Sequence, residues 1–100
     1  MSARLPIDRD DIVDFCRRWK ITELSLFGSV LRDDFRPDSD VDVLVTFAAD
    51  APWSLFDLVT MREQLGQMFG REVHLVEQAG LRNPFRRQAI LSHKEVIFAA

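Results

Sequence analysis

Residues 41–47, VDVLVTF, alternate side chains under a run of β-branched residues, and no other segment constrains the chain as strongly. Successive side chains of a strand point to opposite faces. Val41, Val43, Val45 and Phe47 therefore share one face, and Asp40, Asp42, Leu44 and Thr46 share the other. Three weaker strand signals accompany it: ELSLF at 23–27, stopped by Gly28; REVHLV at 71–76; and VIF at 96–98 as a short edge strand.

Helical periodicity fills the intervals. Ile12, Phe15, Cys16 and Trp19 fall at i, i+3, i+4 and i+7, which predicts a helix over 8–20. Asp8 suits its cap, acidic residues occupy its first turn and basic residues its last. Ser54 with Asp57 is a capping-box pattern that opens a helix over 54–69, ended by Gly70. Its buried face is expected at Leu58, Met61, Leu65 and Met68, with Trp53 and Phe56 packed into the core. Ser29 to Asp33 is expected to make one or two helical turns, and Asn83-Pro84 begins a last helix to about Lys94. The short link between the first two strands predicts an antiparallel pair, whereas helix 54–69 is long enough for a right-handed crossover to a parallel third strand. The expectation is a small α/β (α+β) fold with a mixed sheet of three to four strands.

Composition narrows the possibilities. With 100 residues, 47% hydrophobic and 29% charged, residues 1–100 are expected to form one domain, and disorder, collagen and coiled coil are excluded. No apolar run reaches the roughly 18 residues of a membrane span, and the start lacks a signal-peptide core. Cys16 is the lone cysteine, so the expected location is the cytoplasm. An isoelectric point near 5.3 makes nucleic acid an unlikely direct ligand.

The chemistry concentrates between Leu24 and Phe47. Asp-x-Asp occurs three times (Asp8/Asp10, Asp38/Asp40, Asp40/Asp42), and only the last opens a strand. There the two carboxylates project together, about 7 Å apart, with no Lys or Arg at alternate positions to pair them. A divalent cation resolves that repulsion: Mg²⁺ takes one or two carboxylates and leaves its other positions to water and phosphate. Two such ions can clamp the attacking and leaving oxygens of a phosphoryl-type transfer. Gly28 and Ser29 follow the first strand, where glycine lets a backbone approach a phosphate and serine adds a hydroxyl. Arg32 is one turn further on, and Arg36 lies in the loop beyond.

Gly28-Ser29, ten residues, then Asp40-Val41-Asp42 resembles the signature of the polymerase-β-like nucleotidyltransferases. The run GSVLRDDFRPDSDVDVLV is similar to their minimal members, which consist of the catalytic core alone. The likeness is densest over 24–47 and extends in element order along most of the chain. It implies ATP or another nucleoside triphosphate as substrate, two Mg²⁺ ions, and transfer of a nucleoside monophosphate to a hydroxyl. It assigns the metals to Asp40 and Asp42, and nucleotide binding to Gly28, Ser29, Arg32 and Ser39. It further implies a protein partner, since minimal members are commonly antitoxins that modify a HEPN-domain toxin ribonuclease by adding AMP to a tyrosine.

The sequence departs from that family on the third strand, where a carboxylate is usual and His74 stands instead. A neutral imidazole can take a proton from an attacking hydroxyl but is a poor Mg²⁺ ligand. Glu72 is a candidate substitute. Plainer readings exist beside each of these. The aspartates could be a solvated end of a strand, Gly28 and Ser29 a turn and a cap, Arg32 a surface ion pair, His74 idle, and His93 a helix-dipole partner. The expectations are therefore a Mg²⁺-dependent transferase with Asp40, Asp42 and His74 at its catalytic centre, or an inactive fold that neutralises its partner by binding alone.

Overall fold

A computed structural model of the chain describes residues 7–31 and 39–100, with Ser29 by its backbone alone. Asp8 caps helix α1 (Arg9–Arg18) by accepting from the backbone N–H groups of Asp10 and Asp11. Strand β1 (Ile21–Phe27) runs into a short 3-10 helix, Gly28–Leu31, and strand β2 spans Val41–Phe47. Helix α2 (Leu55–Phe69) opens on the reciprocal Ser54–Asp57 capping box and closes at Gly70, whose φ of 68° is left-handed. Strand β3 (Val73–Glu77), a 3-10 turn at Gln78–Gly80, helix α3 (Pro84–His93) and strand β4 (Glu95–Ala99) complete the order. None of the described helices is long and apolar enough to cross a membrane.

The sheet order is β3-β2-β1-β4, with β1 antiparallel to both neighbours and β2 parallel to β3. The mixed sheet and both expected pairings are present. On one face Val41, Val43 and Val45 join Leu24 and Leu26 beneath Ile12, Phe15 and Cys16 of α1 and Met61, Leu65 and Phe69 of α2. On the other face a smaller cluster of Phe27, Leu44, Leu81 and Ile90 seats α3. Strand alternation thus feeds two cores, one from each side of β2.

Three local expectations need correction. Helix α1 ends at Arg18 because Lys20 takes a left-handed φ of 55°, and the strand begins at Ile21, which pairs with Phe47. Strand β3 starts at Val73, since Arg71 still donates its N–H back to Gly66. Phe56 is 85% exposed. It lies five residues before Met61, about 140° around the helix at 100° per residue, so it faces away from the buried stripe. Trp53 does pack inward: its Nε1 donates to the Trp19 carbonyl at 2.6 Å and its ring meets Trp19 edge-on at 5.0 Å.

Cys16 is buried in the larger core, and burial pushes its thiol up from 9.0 to about 12. The folded state therefore holds this proton more tightly than the unfolded chain does. The associated stability is fully present below pH 9 and is lost as pH rises toward 12. We expect the folded protein to resist thiol reagents at neutral pH and to react on unfolding in urea. Cys16→Val should flatten the fall in stability expected above pH 9, as urea titrations at a series of pH values would read it.

Candidate active site

Three strand ends meet at one edge of the sheet. Strand β1 ends there, whereas β2 and the parallel β3 begin there. The register sets Asp42 opposite Phe27 on one side and His74 on the other. Asp40 immediately precedes β2, and the residues around it are pinned from β3: the Val41 N–H donates to the Glu72 carbonyl at 2.9 Å, and Arg71 Nη1 donates to the Ser39 carbonyl at 3.3 Å. Alternation then projects Asp40 and Asp42 to the same side, toward His74.

The imidazole of His74 bridges the pair. Its Nε2 lies 3.1 Å from Asp40 Oδ2 and its Nδ1 lies 3.3 Å from Asp42 Oδ1. Only the protonated ring donates from both nitrogens, so the full bridge belongs to the imidazolium form. The side chains are 41%, 25% and 61% exposed for Asp40, Asp42 and His74, open enough to meet a ligand.

Gly28 forms the other wall, against the second oxygen of Asp42. A Cβ at this position would stand 2.3 Å from Asp42 Oδ2, and the backbone φ is 76°. Glycine is required here both for the backbone conformation and for the close approach of the carboxylate. The result is a mouth made of main chain on one side and two carboxylates on the other.

The structure thus brings Gly28, Asp40, Asp42 and His74 together, with Ser39 at the edge through its carbonyl. Glu72 does not join them. It precedes β3, is exposed, and contributes its main-chain carbonyl, not a carboxylate ion pair, among the described residues. Arg32 and Arg36 lie outside the described residues, as does the Ser29 side chain. Arg71, which holds the residue before Asp40, was not singled out by the sequence: nothing in its spacing marks a contact to a loop 32 residues away.

Chemically the donor set is two carboxylates, and among the described residues no three or more His, Cys, Asp or Glu side chains are arranged to hold a metal. Two oxygen donors on a partly exposed edge fit Mg²⁺, which keeps several waters and completes its shell with substrate phosphates. They do not make the closed cage of a structural metal site.

Comparison with known proteins adds to this geometry. The model of the nucleotidyltransferase domain family matches residues 11–97. The protein adenylyltransferase MntA of Thermococcus cleftensis is 32% identical over 81 residues, covering 81% of this chain and 77% of its own. A solved structure, provisionally assigned as a minimal nucleotidyltransferase, superposes with a TM-score of 0.70 at 31% identity, covering 86% of this chain and 85% of that one. A third likeness is one of fold alone: the complex of tri-AMPylated Shewanella oneidensis HEPN toxin with its MNT antitoxin (TM-score 0.66, 19% identity, 92% of this chain and 70% of that one). The chain belongs to the nucleotidyltransferase domain family, in its minimal form built on the polymerase-β-like core.

Proposed function

We infer that this nucleotidyltransferase moves an adenylyl group from ATP to a hydroxyl of a protein partner, and that the partner is a HEPN-type toxin for which it serves as antitoxin. The observation that carries the reading is the convergence of Asp40 and Asp42 at the mouth beside Gly28. The named relatives support its direction, one being a protein adenylyltransferase and one a complex with an AMPylated HEPN toxin.

In the reaction the acceptor oxygen bonds to the α-phosphorus, the bond from that phosphorus to the bridging oxygen breaks, and pyrophosphate leaves. Asp40 and Asp42 would hold Mg²⁺, which supplies charge neutralisation on the phosphates when bound. The backbone at Gly28, with Ser29, Arg32 and Ser39, is assigned to the triphosphate. His74 orders the two carboxylates. To accept the hydroxyl proton the ring must be neutral, with the nitrogen that carries the lone pair turned away from its aspartate.

A ligand that binds the native state alone raises the melting temperature by mass action. ATP with Mg²⁺ should therefore stabilise the chain in a thermal-shift experiment, and ATP without metal should do so weakly, because the carboxylate pair repels an unscreened triphosphate. An equal shift with and without metal would remove the metal from the site.

One observation favours a second reading, in which the chain neutralises its partner by binding alone. His74 sits between the carboxylates, where a cation would otherwise screen them. The two readings separate on His74. As a base it makes His74→Ala cost roughly 10²–10⁴ in transfer rate, with His74→Asp active as an oxygen donor in its place. A binder alone gives no transfer in any form, and unchanged neutralisation in all three.

A further inference from the structure

A cavity of about 460 Å³ opens between the 3-10 helix and α3, lined by Phe27, Gly28, Leu31, Ala89, Ile90 and His93. Gly28 belongs both to this cavity and to the catalytic mouth, since the position of its missing Cβ is 2.3 Å from Asp42 Oδ2. The cavity and the carboxylate pair are therefore adjacent compartments separated by one residue's backbone.

The walls are apolar apart from His93. Its Nδ1 lies 3.1 Å from the Ala89 carbonyl oxygen. A carbonyl oxygen only accepts, so Nδ1 carries the hydrogen, and in the neutral ring Nε2 then has the lone pair. It is the only side-chain lone pair of nitrogen or oxygen among the six lining residues. An acceptor at the exposed rim of an otherwise apolar pocket disfavours phosphate oxygens, which are acceptors too. It favours a flat, largely apolar group that carries an N–H or O–H donor. A nucleobase has the size and shape for a cavity of this volume.

We propose that this cavity receives the nucleobase of the triphosphate and that His93 selects adenine over guanine. On the edge that carries N7, adenine presents an exocyclic amine where guanine presents a carbonyl, so only adenine offers His93 a donor there. Guanine there sets two acceptors against each other. The proposal rests on the nucleotidyltransferase reading above and deepens it: the carboxylate mouth handles phosphates whatever the base, and the base is recognised next door.

The test uses the full chain with Mg²⁺ and three probes: ATP, GTP and inorganic tripolyphosphate, by calorimetric titration. A hydrogen bond gained by one base and two acceptors set against each other by the other predict a preference for ATP of roughly 10-fold. His93→Leu should bring the ATP-to-GTP ratio close to one and leave tripolyphosphate binding unchanged. Ala89 is exposed as well as lining the cavity, so a bulky residue there is compatible with folding. Ala89→Trp should weaken ATP by about 10-fold or more while sparing tripolyphosphate.

Three results would overturn the proposal and leave the transferase reading standing. The ATP-to-GTP ratio could survive His93→Leu. Ala89→Trp could weaken tripolyphosphate as much as ATP, which would make the cavity a phosphate site. It could also spare ATP affinity and slow transfer to the protein partner, which would assign the cavity to the acceptor's aromatic ring. Failure of the wild-type chain to bind either ATP or tripolyphosphate would instead sink both readings together.

Discussion

Replacing Asp40 and Asp42 together by asparagine is expected to lower adenylyl transfer by about 10³-fold or more, with the fold left intact. Asparagine keeps the size of the side chain and an oxygen that accepts from His74, but removes both negative charges. The phosphate transfer then loses its means of holding a divalent cation, and no other described carboxylate reaches the mouth. Stability has no such dependence. Both side chains are partly exposed, their ion pairs with His74 are of the surface kind, and their mutual repulsion is relieved by the change. Urea denaturation should therefore place the variant within about 1 kcal/mol of wild type. The metal-dependent part of the ATP thermal shift should vanish with the activity. A variant that transfers at the wild-type rate would show that these two residues do not hold the metal.

The second large effect belongs to a residue with no side chain. Gly28→Ala should cost about 1–2 kcal/mol of stability, because φ at this position is 76° and an L-residue is strained there. It should also lower transfer by about 10²-fold, the scale of loss when a reacting group is displaced by an ångström. The new methyl would lie 2.3 Å from Asp42 Oδ2, so the carboxylate must swing aside, and with it any ion it holds. Gly70→Ala provides the control. That glycine has a similar φ of 68° but no neighbouring atom within 4 Å of its Cβ position. It should show the same backbone cost with transfer per folded molecule unchanged. If both variants lose activity equally, strain and not the placement of Asp42 is responsible.

The contrast between these two glycines also shows what the sequence can and cannot express. Gly28 and Asp42 stand out by spacing and by position at strand ends, and the alternation of 41–47 correctly sends both aspartates to one face. The capping box at Ser54 and the stop at Gly70 are local patterns, so the ends of helix α2 are readable to within one residue. Features that depend on register across strands are not. That His74 reaches both carboxylates follows from the parallel pairing of Asp42 with His74, which is set by helix α2 and the packing beneath it. The bond from Arg71 to the Ser39 carbonyl and the His93 cavity arise the same way, from elements far apart in the chain. Phe56 marks a different limit. Its hydrophobicity suggests burial, but the phase of α2 is fixed by Met61, Leu65 and Phe69, and it turns Phe56 to solvent. The left-handed Lys20 has no sequence signature at all, which is why the start of β1 shifted.

Mass spectrometry of a HEPN-type partner incubated with this chain, ATP and Mg²⁺ tests the central claim most directly. Transfer predicts a partner heavier by one or more adenylyl groups, each on a hydroxyl side chain, with wild type and none with the Asp40→Asn, Asp42→Asn variant. A partner that is neutralised by wild type yet keeps its unmodified mass would contradict adenylyl transfer as the means by which this protein acts.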